Sequence, residues 1–237
     1  MVYGWLSRLH SLLYTPYCVL CGRRSYTHRE LCAACTLDLS WNRYFCSVCA
    51  APMPPESGRR RCGQCLKSPP PWDLAVSPLL YAWPLDQLLQ RFKFNGDLAT
   101  GRLLGELLAD YLAAGRILKP DLLIPVPLHA ARLRKRGFNQ ALELARPVAR
   151  RLRLCIAQKL CVRSKNTAVQ SELDAVARRR NLHAAFAINR SLTGAHVAIL
   201  DDVLTTGATA SALALTLRQA GAASVQVWCL ARAARVS

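Results

Sequence analysis

The chain has 237 residues, of which 52% are hydrophobic, enough to bury a core and to exclude wholesale disorder. Thirty-two Lys and Arg against fourteen Asp and Glu give a formal charge of +18, which directs attention to polyanions: nucleic acid, phosphate-rich small molecules or an anionic membrane face. No apolar run reaches the roughly 18 residues of a membrane span.

Residues 2–14 read as a short amphipathic helix with Leu6, Leu9 and Leu13 on one face. Packing on its own protein is the ordinary use of such a face, and peripheral contact with a membrane surface is the alternative. Arg8 and His10 interrupt the opening, and no A-x-A-like cleavage site follows. It does not read as a secretory signal, and a cytoplasmic location is expected.

Next come four C-x-x-C pairs, Cys18/Cys21, Cys32/Cys35, Cys46/Cys49 and Cys62/Cys65. Two such turns brought together supply the tetrahedron of thiolates that zinc prefers. Ten residues separate Cys21 from Cys32, and twelve separate Cys49 from Cys62. Closing these short loops costs less entropy than interleaving long ones. The expected sites are therefore Cys18, Cys21, Cys32 and Cys35, then Cys46, Cys49, Cys62 and Cys65. Four thiolates leave no position open for water, so both are read as structural Zn2+ sites. The spacing does not match ferredoxin patterns, and the missing signal peptide argues against a disulfide framework. Eight thiolates and two dications together carry −4, which lowers the formal +18 to +14. Six of the thirteen prolines fall between Pro52 and Pro71, and Pro69-Pro70-Pro71 makes a stiff joint. Residues 1–68 are expected to form a double-ribbon module and residues 72–237 a second domain.

After Trp72, apolar runs alternate with amphipathic helices, the pattern of an α/β domain with a parallel sheet flanked by helices. Asp97 to Ala114 reads as a helix with Leu104, Leu108 and Leu112 on one face and Gly115 as its stop. Leu122 to Ile124 reads as a strand, and Gly137 to Leu154 as a helix that Pro147 must kink or split. Val197 to Leu200 is a strand, Ser211 to Ala220 a helix, and Val225 to Leu230 a last strand. Cys155, Cys161 and Cys229 are expected as buried fillers, and Arg150, Arg151 and Arg153 as a solvated helix end.

The segment VAILDDVLTTGATASA carries the chemistry. A buried strand delivers Asp201 and Asp202 at its carboxyl end, Thr205, Thr206, Gly207, Ala208 and Thr209 form a turn, and a helix follows. Ligands of open α/β sheets bind outside the carboxyl ends of strands. A tight turn opening a helix aims backbone N–H groups at an anion. The acids suit ribose hydroxyls or a metal ion, so the whole reads as a ribose-5-phosphate cradle. No G-x-x-x-x-G-K-[ST] is present, which sets aside a P-loop ATPase.

This pattern resembles the 5-phosphoribosyl diphosphate (PRPP) motif of type I phosphoribosyltransferases. With IPVPLHAARLRKRGFNQA, with RSKNTAVQSELDAVARRRNLHAAF and with the cysteine module, the chain resembles the ComF family of competence-associated proteins, nearest its GntX-like DNA-utilisation branch. The resemblance implies a double zinc ribbon on a phosphoribosyltransferase-type fold. It makes Asp201 and Asp202 the ribose-binding acids and Thr205 to Thr209 the 5-phosphate loop. It places Arg134, Arg136, Gly137, Asn139 and Gln140 at the pyrophosphate. Arg163, Lys165, Thr167, Gln170, Arg178 and Asn181 resemble its mobile closing loop. Catalysis would fall to Asp201, Asp202, Arg163 and Lys165, with Mg2+ bridging pyrophosphate and ribose oxygens. From Arg132 to Arg190 there are fifteen Lys or Arg and three acids, and such guanidinium groups stabilise a departing pyrophosphate.

Two functions follow. The first is phosphoribosyl transfer from Mg2+-PRPP to an acceptor that the ribbons do not reveal. The second is non-catalytic binding of single-stranded DNA or a nucleotide, with the ribbons and the basic stretch on the phosphates and Trp41, Tyr44, Phe45 or Trp72 for stacking. The family's connection with external DNA also makes other DNA-uptake proteins expected partners.

Overall fold

The alternation after Trp72 becomes a parallel sheet whose two long central strands are apolar along most of their length, as burial on both faces requires. The structure is a computed structural model that describes residues 16–55, 58, 60–115, 117–163 and 185–234. The helix expected over 2–14 lies outside those residues, as do Lys165, Thr167, Gln170, Arg178 and Asn181.

In chain order the elements are α1 (Ala33–Leu37), α2 (Gly63–Lys67), β1 (Leu74–Val76), β2 (Leu79–Leu80), α3 (Leu85–Asn95) and α4 (Leu98–Ala114). Then come β3 (Leu122–Pro125), α5 (Ala130–Arg136), α6 (Gln140–Leu152), β4 (Cys155–Ile156), β5 (Cys161–Arg163), β6 (Phe186–Ile188), β7 (His196–Leu204), α7 (Ala208–Gln219) and β8 (Ser224–Arg232). The sheet order is β1-β8-β7-β3-β4, with β2 also on β8, and every pairing is parallel. A separate antiparallel pair joins β5 and β6. Helices α4 and α6 pack on one another and on the sheet, and α7 packs on β7 and β8.

Local chemistry explains the helix limits. Asp97 caps α4 through Oδ1, which accepts from the Thr100 N–H at 3.0 Å, and Gly115 ends it as expected. Leu104, Leu108 and Leu112 are all buried. Helix α3 was not anticipated, although Leu85, Leu88, Leu89 and Phe92 repeat at helical spacing and Gly96, at φ 66°, stops it.

The following features differ from the sequence reading. Helix α6 starts at Gln140, because Asn139 caps it and Gly137, at φ 82°, instead terminates the short α5. Pro147 lies inside α6 without dividing it, where a Cβ on Gly105 of α4 would come within 2.7 Å of its ring. Helix α7 begins three residues early, directly after Gly207. Strand β7 does not stop at Leu200. Its pairing with β3 ends at Pro125↔Leu200, but β8 runs alongside as far as Leu204↔Arg232. Asp201 and Asp202 are therefore strand residues that project past the shorter neighbour. Cys161 and Cys229 are buried fillers as expected, whereas Cys155 is exposed because β4 is a two-residue edge strand.

The cysteine module is docked on the sheet domain. Cys18, Leu31, Leu39 and Ala50 belong to the main apolar core. Asn42 Nδ2 donates to the carbonyls of Ala50 and Ser77, and Arg29 pairs with Glu106 and Asp110 of α4.

Candidate functional site

The eight ribbon cysteines gather in the two groups expected, Cys18, Cys21, Cys32, Cys35 and Cys46, Cys49, Cys62, Cys65, with all four sulfurs of each group within 4.8 Å of one another. Cys21 and Cys32 sulfurs are 3.8 Å apart, and those of Cys49 and Cys62 are 3.7 Å apart. A tetrahedron of sulfurs about 2.3 Å from a central zinc has edges of about 3.8 Å, so the donor sets fit that ion. The second turn of each group starts a one-turn helix with Cys32 or Cys62 at its N-cap position, and the Cys32 sulfur accepts from the Cys35 N–H. Burial raises the Cys18 thiol, but backbone N–H groups of Cys32, Cys21 and Leu20 outweigh it and bring the pKa down to about 6. Cys46 falls to about 7 in the same way. Cys35 and Cys65 are pushed far up, by burial and then by their neighbours' sulfurs. Such crowded thiolates call for a dication.

On the sheet, Asp201 is half-buried and Asp202 is 5% exposed. Asp201 Oδ1 accepts from the Asp202 N–H at 2.9 Å, and Asp202 Oδ1 from the Val203 N–H at 2.8 Å. Lys93 of α3 brings Nζ to 2.5 Å from Asp202 Oδ2, an ion pair rather than an aligned hydrogen bond. Burial, and then the Asp202 charge, holds the Asp201 carboxyl well above the usual carboxylate range. A raised folded-state pKa means that stability falls as pH rises from the unfolded value through the folded one. Asp201→Asn is therefore expected to raise the Tm of the protein at pH 8. The gain should shrink as pH falls toward about 4, the unfolded-state value, and vanish below it, where both states hold the proton. Thermal melts at both pH values check this, and a variant less stable than wild type at pH 8 would contradict it.

Beyond the acids, Thr205 and Thr206 are exposed, and Gly207 sits at φ 82° as the first turn of α7 opens. Glycine is required there twice over, since a Cβ would also lie 3.0 Å from the Trp72 ring. The Ala208 N–H bonds Thr206 Oγ1 at 3.3 Å. The N–H groups of Thr209 and Ala210 follow in a first turn that offers no intrahelical acceptors and carries the positive end of the helix dipole.

The segment after β3 is a helix and a turn, not an open loop. Arg134 is exposed. Arg136 Nη1 donates to Gln140 Oε1 at 2.7 Å and stacks 5.7 Å above Phe94. Asn139 ties the turn down through Val126 O at 3.1 Å and caps α6. Gly137, Asn139 and Gln140 thus shape the turn, and the arginines remain as its charges. Arg163 belongs to strand β5, with its guanidinium 5.6 Å over Phe186. Burial and Arg132 lower its pKa while Asp201 raises it, so the three charges act on one another. Trp72 is buried and donates to Val48 O at 2.6 Å, which removes it from the stacking residues; Tyr44 is exposed.

The sequence reading missed Lys93 and Arg232. The first had a signal, since two adjacent acids at a buried strand end need a cation. The second had none. Its Nε donates to the Cys49 carbonyl at 3.0 Å, 183 positions away.

Among known families, the double zinc ribbon domain matches residues 9–66. A DNA utilization protein, YhgH, of Escherichia coli O157:H7 is 37% identical over 96% of each chain. Competence protein F of Haemophilus influenzae is 35% identical over 91% of this chain and 96% of its own. Competence protein ComFC of Bacillus subtilis is 31% identical over 62% of this chain and 60% of its own. A purine phosphoribosyltransferase from Pyrococcus horikoshii Ot3 is 18% identical over 67% of this chain and 77% of its own, at a TM-score of 0.31, a likeness too loose to bear on function. With cysteine clusters in place and relatives more than one-third identical along nearly their whole length, this protein belongs to the ComF family, with the YhgH-type DNA utilization proteins and competence protein F.

Proposed function

We propose that the sheet domain, residues 72–237, has the phosphoribosyltransferase type of fold and binds Mg2+-PRPP or a related phosphoribosyl ligand, with residues 1–68 as a double ribbon holding two structural Zn2+ ions. One observation carries this. The acids Asp201 and Asp202 stand past the end of β3 and lead through Thr205–Thr209 into the open first turn of α7. The carboxylates accept the ribose hydroxyls, and the loop N–H and hydroxyl groups hold the 5-phosphate. Arg134, Arg136, Arg163 and Lys165 supply charge for the pyrophosphate.

Lys93 already occupies one oxygen of Asp202, so a protein cage for Mg2+ is not expected from these acids. Mg2+ bound with the ligand would supply positive charge to offset that of the pyrophosphate. In transfer, an acceptor attacks the anomeric carbon, the bond to pyrophosphate breaks, and pyrophosphate leaves with its electron pair. The chain contributes positioning and charge stabilisation, without a covalent intermediate. The relatives are named for DNA utilization and competence, which supports a role for such a reaction in the handling of DNA. No helix among the described residues is long and apolar enough to cross a membrane, in keeping with the cytoplasmic location we propose.

A basic cleft favours the second reading, single-stranded DNA binding. It measures about 560 Å³ and is lined by His28, Arg29, Arg102, Arg150, Arg151 and Arg153 beside Glu106 and Asp110. Salt separates the two: neutralising six to ten phosphates costs roughly 10³–10⁵ in affinity between 50 and 200 mM salt.

The deciding experiment is calorimetric titration of PRPP into zinc-loaded protein, with and without Mg2+, beside Asp201→Asn/Asp202→Asn. Saturable Mg2+-dependent binding should weaken at least about 100-fold in the variant, the loss of two charge-assisted hydrogen bonds. No binding by folded, metal-replete protein would overturn the reading.

A further inference from the structure

Arg232 is 2% exposed at the end of β8, beside Leu204 of β7. Nη1 donates to the carbonyls of Leu204 at 2.6 Å, Thr205 at 2.5 Å and Ala233 at 2.8 Å. Nε donates to the carbonyl of Cys49 at 3.0 Å. One planar, rigid group thus holds both the entry to the phosphate loop and the turn between two sulfurs of the second cysteine cluster.

A second tie runs beside it. Trp72 Nε1 donates to Val48 O in that same turn, and its ring fills the space beside Gly207. A cleft of about 490 Å³ between the two ties is lined by Cys65, Trp72, Thr206, Gly207 and Arg232, among others. The first cluster is anchored elsewhere: Arg29 and Glu30 pair with residues of α4, and Val19 O accepts from Arg91 of α3.

We propose that Arg232 is a positioning residue that transmits the metal state of the second cysteine cluster to the phosphate loop. The inference rests on reading Thr205–Thr209 as an anion cradle. A buried guanidinium is costly unless its donors are satisfied, so its orientation is fixed by the carbonyls around it. Metal fixes the Cys46–Cys49 turn and therefore the Cys49 carbonyl. Without metal the turn loosens, the guanidinium loses one of its anchors, and the Leu204 and Thr205 carbonyls are no longer held in register. The backbone N–H groups that follow then lose their convergence on the anion.

Hydrogen exchange of the zinc-loaded full chain tests this without needing the ligand. Cys62→Ser removes one ligand of the second cluster and leaves Arg232 and the Cys49 carbonyl in the chain. It should accelerate exchange over residues 204–210 about tenfold, while exchange over β3 stays as in wild type. Arg232→Lys keeps the charge but cannot span both sets of carbonyls. It should accelerate the same segment with both metal equivalents retained. Combined, the two substitutions should add little beyond either one. Wild-type exchange of the loop in Cys62→Ser would overturn the coupling, as would effects that multiply in the double variant or equal acceleration by Cys21→Ser in the first cluster. Should Arg232→Lys fail to fold, Trp72→Phe removes the parallel tie to Val48 O: the Cys62→Ser acceleration should persist in that background, and its loss there would overturn the role of Arg232. A wild-type protein that ignores Mg2+-PRPP would overturn the phosphoribosyl reading but not the coupling. Where Mg2+-PRPP binds, Cys62→Ser should weaken it about tenfold.

Discussion

Replacing Lys93 with Met should cost the folded protein about 3 kcal/mol at pH 8, the lower edge of what breaking a buried ion pair costs. The lysine side chain is 20% exposed and that of Asp202 7%, so water can offset only part of the loss. With the ammonium gone, two adjacent carboxylates face one another at the strand end, and Asp201 already holds its proton well above the usual range. Protonation is the relief open to them. The deficit should therefore be full above the folded-state pKa and shrink as pH falls through it. Urea denaturation at pH 8 and pH 5 measures both. Adding Asp202→Asn to Lys93→Met should recover most of the loss, because the orphaned charge leaves with it. A single variant as stable as wild type at pH 8 would show that the pair contributes nothing. If the acids bind a ribose as proposed, Lys93→Met should also weaken that binding, since acids kept protonated are poorer acceptors for its hydroxyls.

Stripping both metal ions should have the largest effect of all. Structural zinc contributes apparent free energies of about 10–16 kcal/mol in ribbon-sized peptides, and that binding energy is folding energy. Here the module also shares a core with the sheet domain through Cys18, Leu31, Leu39 and Ala50. Its loss exposes apolar surface on both sides. A strong chelator is expected to release two ions per chain, abolish exchange protection over the described part of residues 16–68, and lower the Tm of the remainder by more than about 10 °C. Metal analysis alongside circular dichroism checks it. An apo protein that melts with the holo protein would mean that the sulfur clusters are held by the fold alone.

The readable parts of this chain were those governed by local rules. Cysteine spacing selected which four sulfurs meet, because short loops close at least entropic cost. The helix from Asp97 was legible from its cap, its leucine stripe and its Gly115 stop. Asp-Asp, then a threonine-glycine turn, then a helix was legible as a strand end, a turn and a helix start because each is set by its own residues. Helix α3 is equally legible from its leucine spacing and its Gly96 stop.

What the sequence by itself determined is therefore the two cysteine groups, the parallel α/β pattern and the identity of the acids and loop. Only the tertiary structure decided how far β7 extends, because that depends on β8 continuing beside it to Arg232. Only the fold brought Lys93 to Asp202, confined Trp72 between Val48 and Gly207, and set the Arg232 guanidinium between Cys49 and Thr205. The reason is physical. Caps, turns and periodicity act within a few residues of chain, whereas a buried charge is satisfied by whichever carbonyl or carboxylate the packed fold delivers to it.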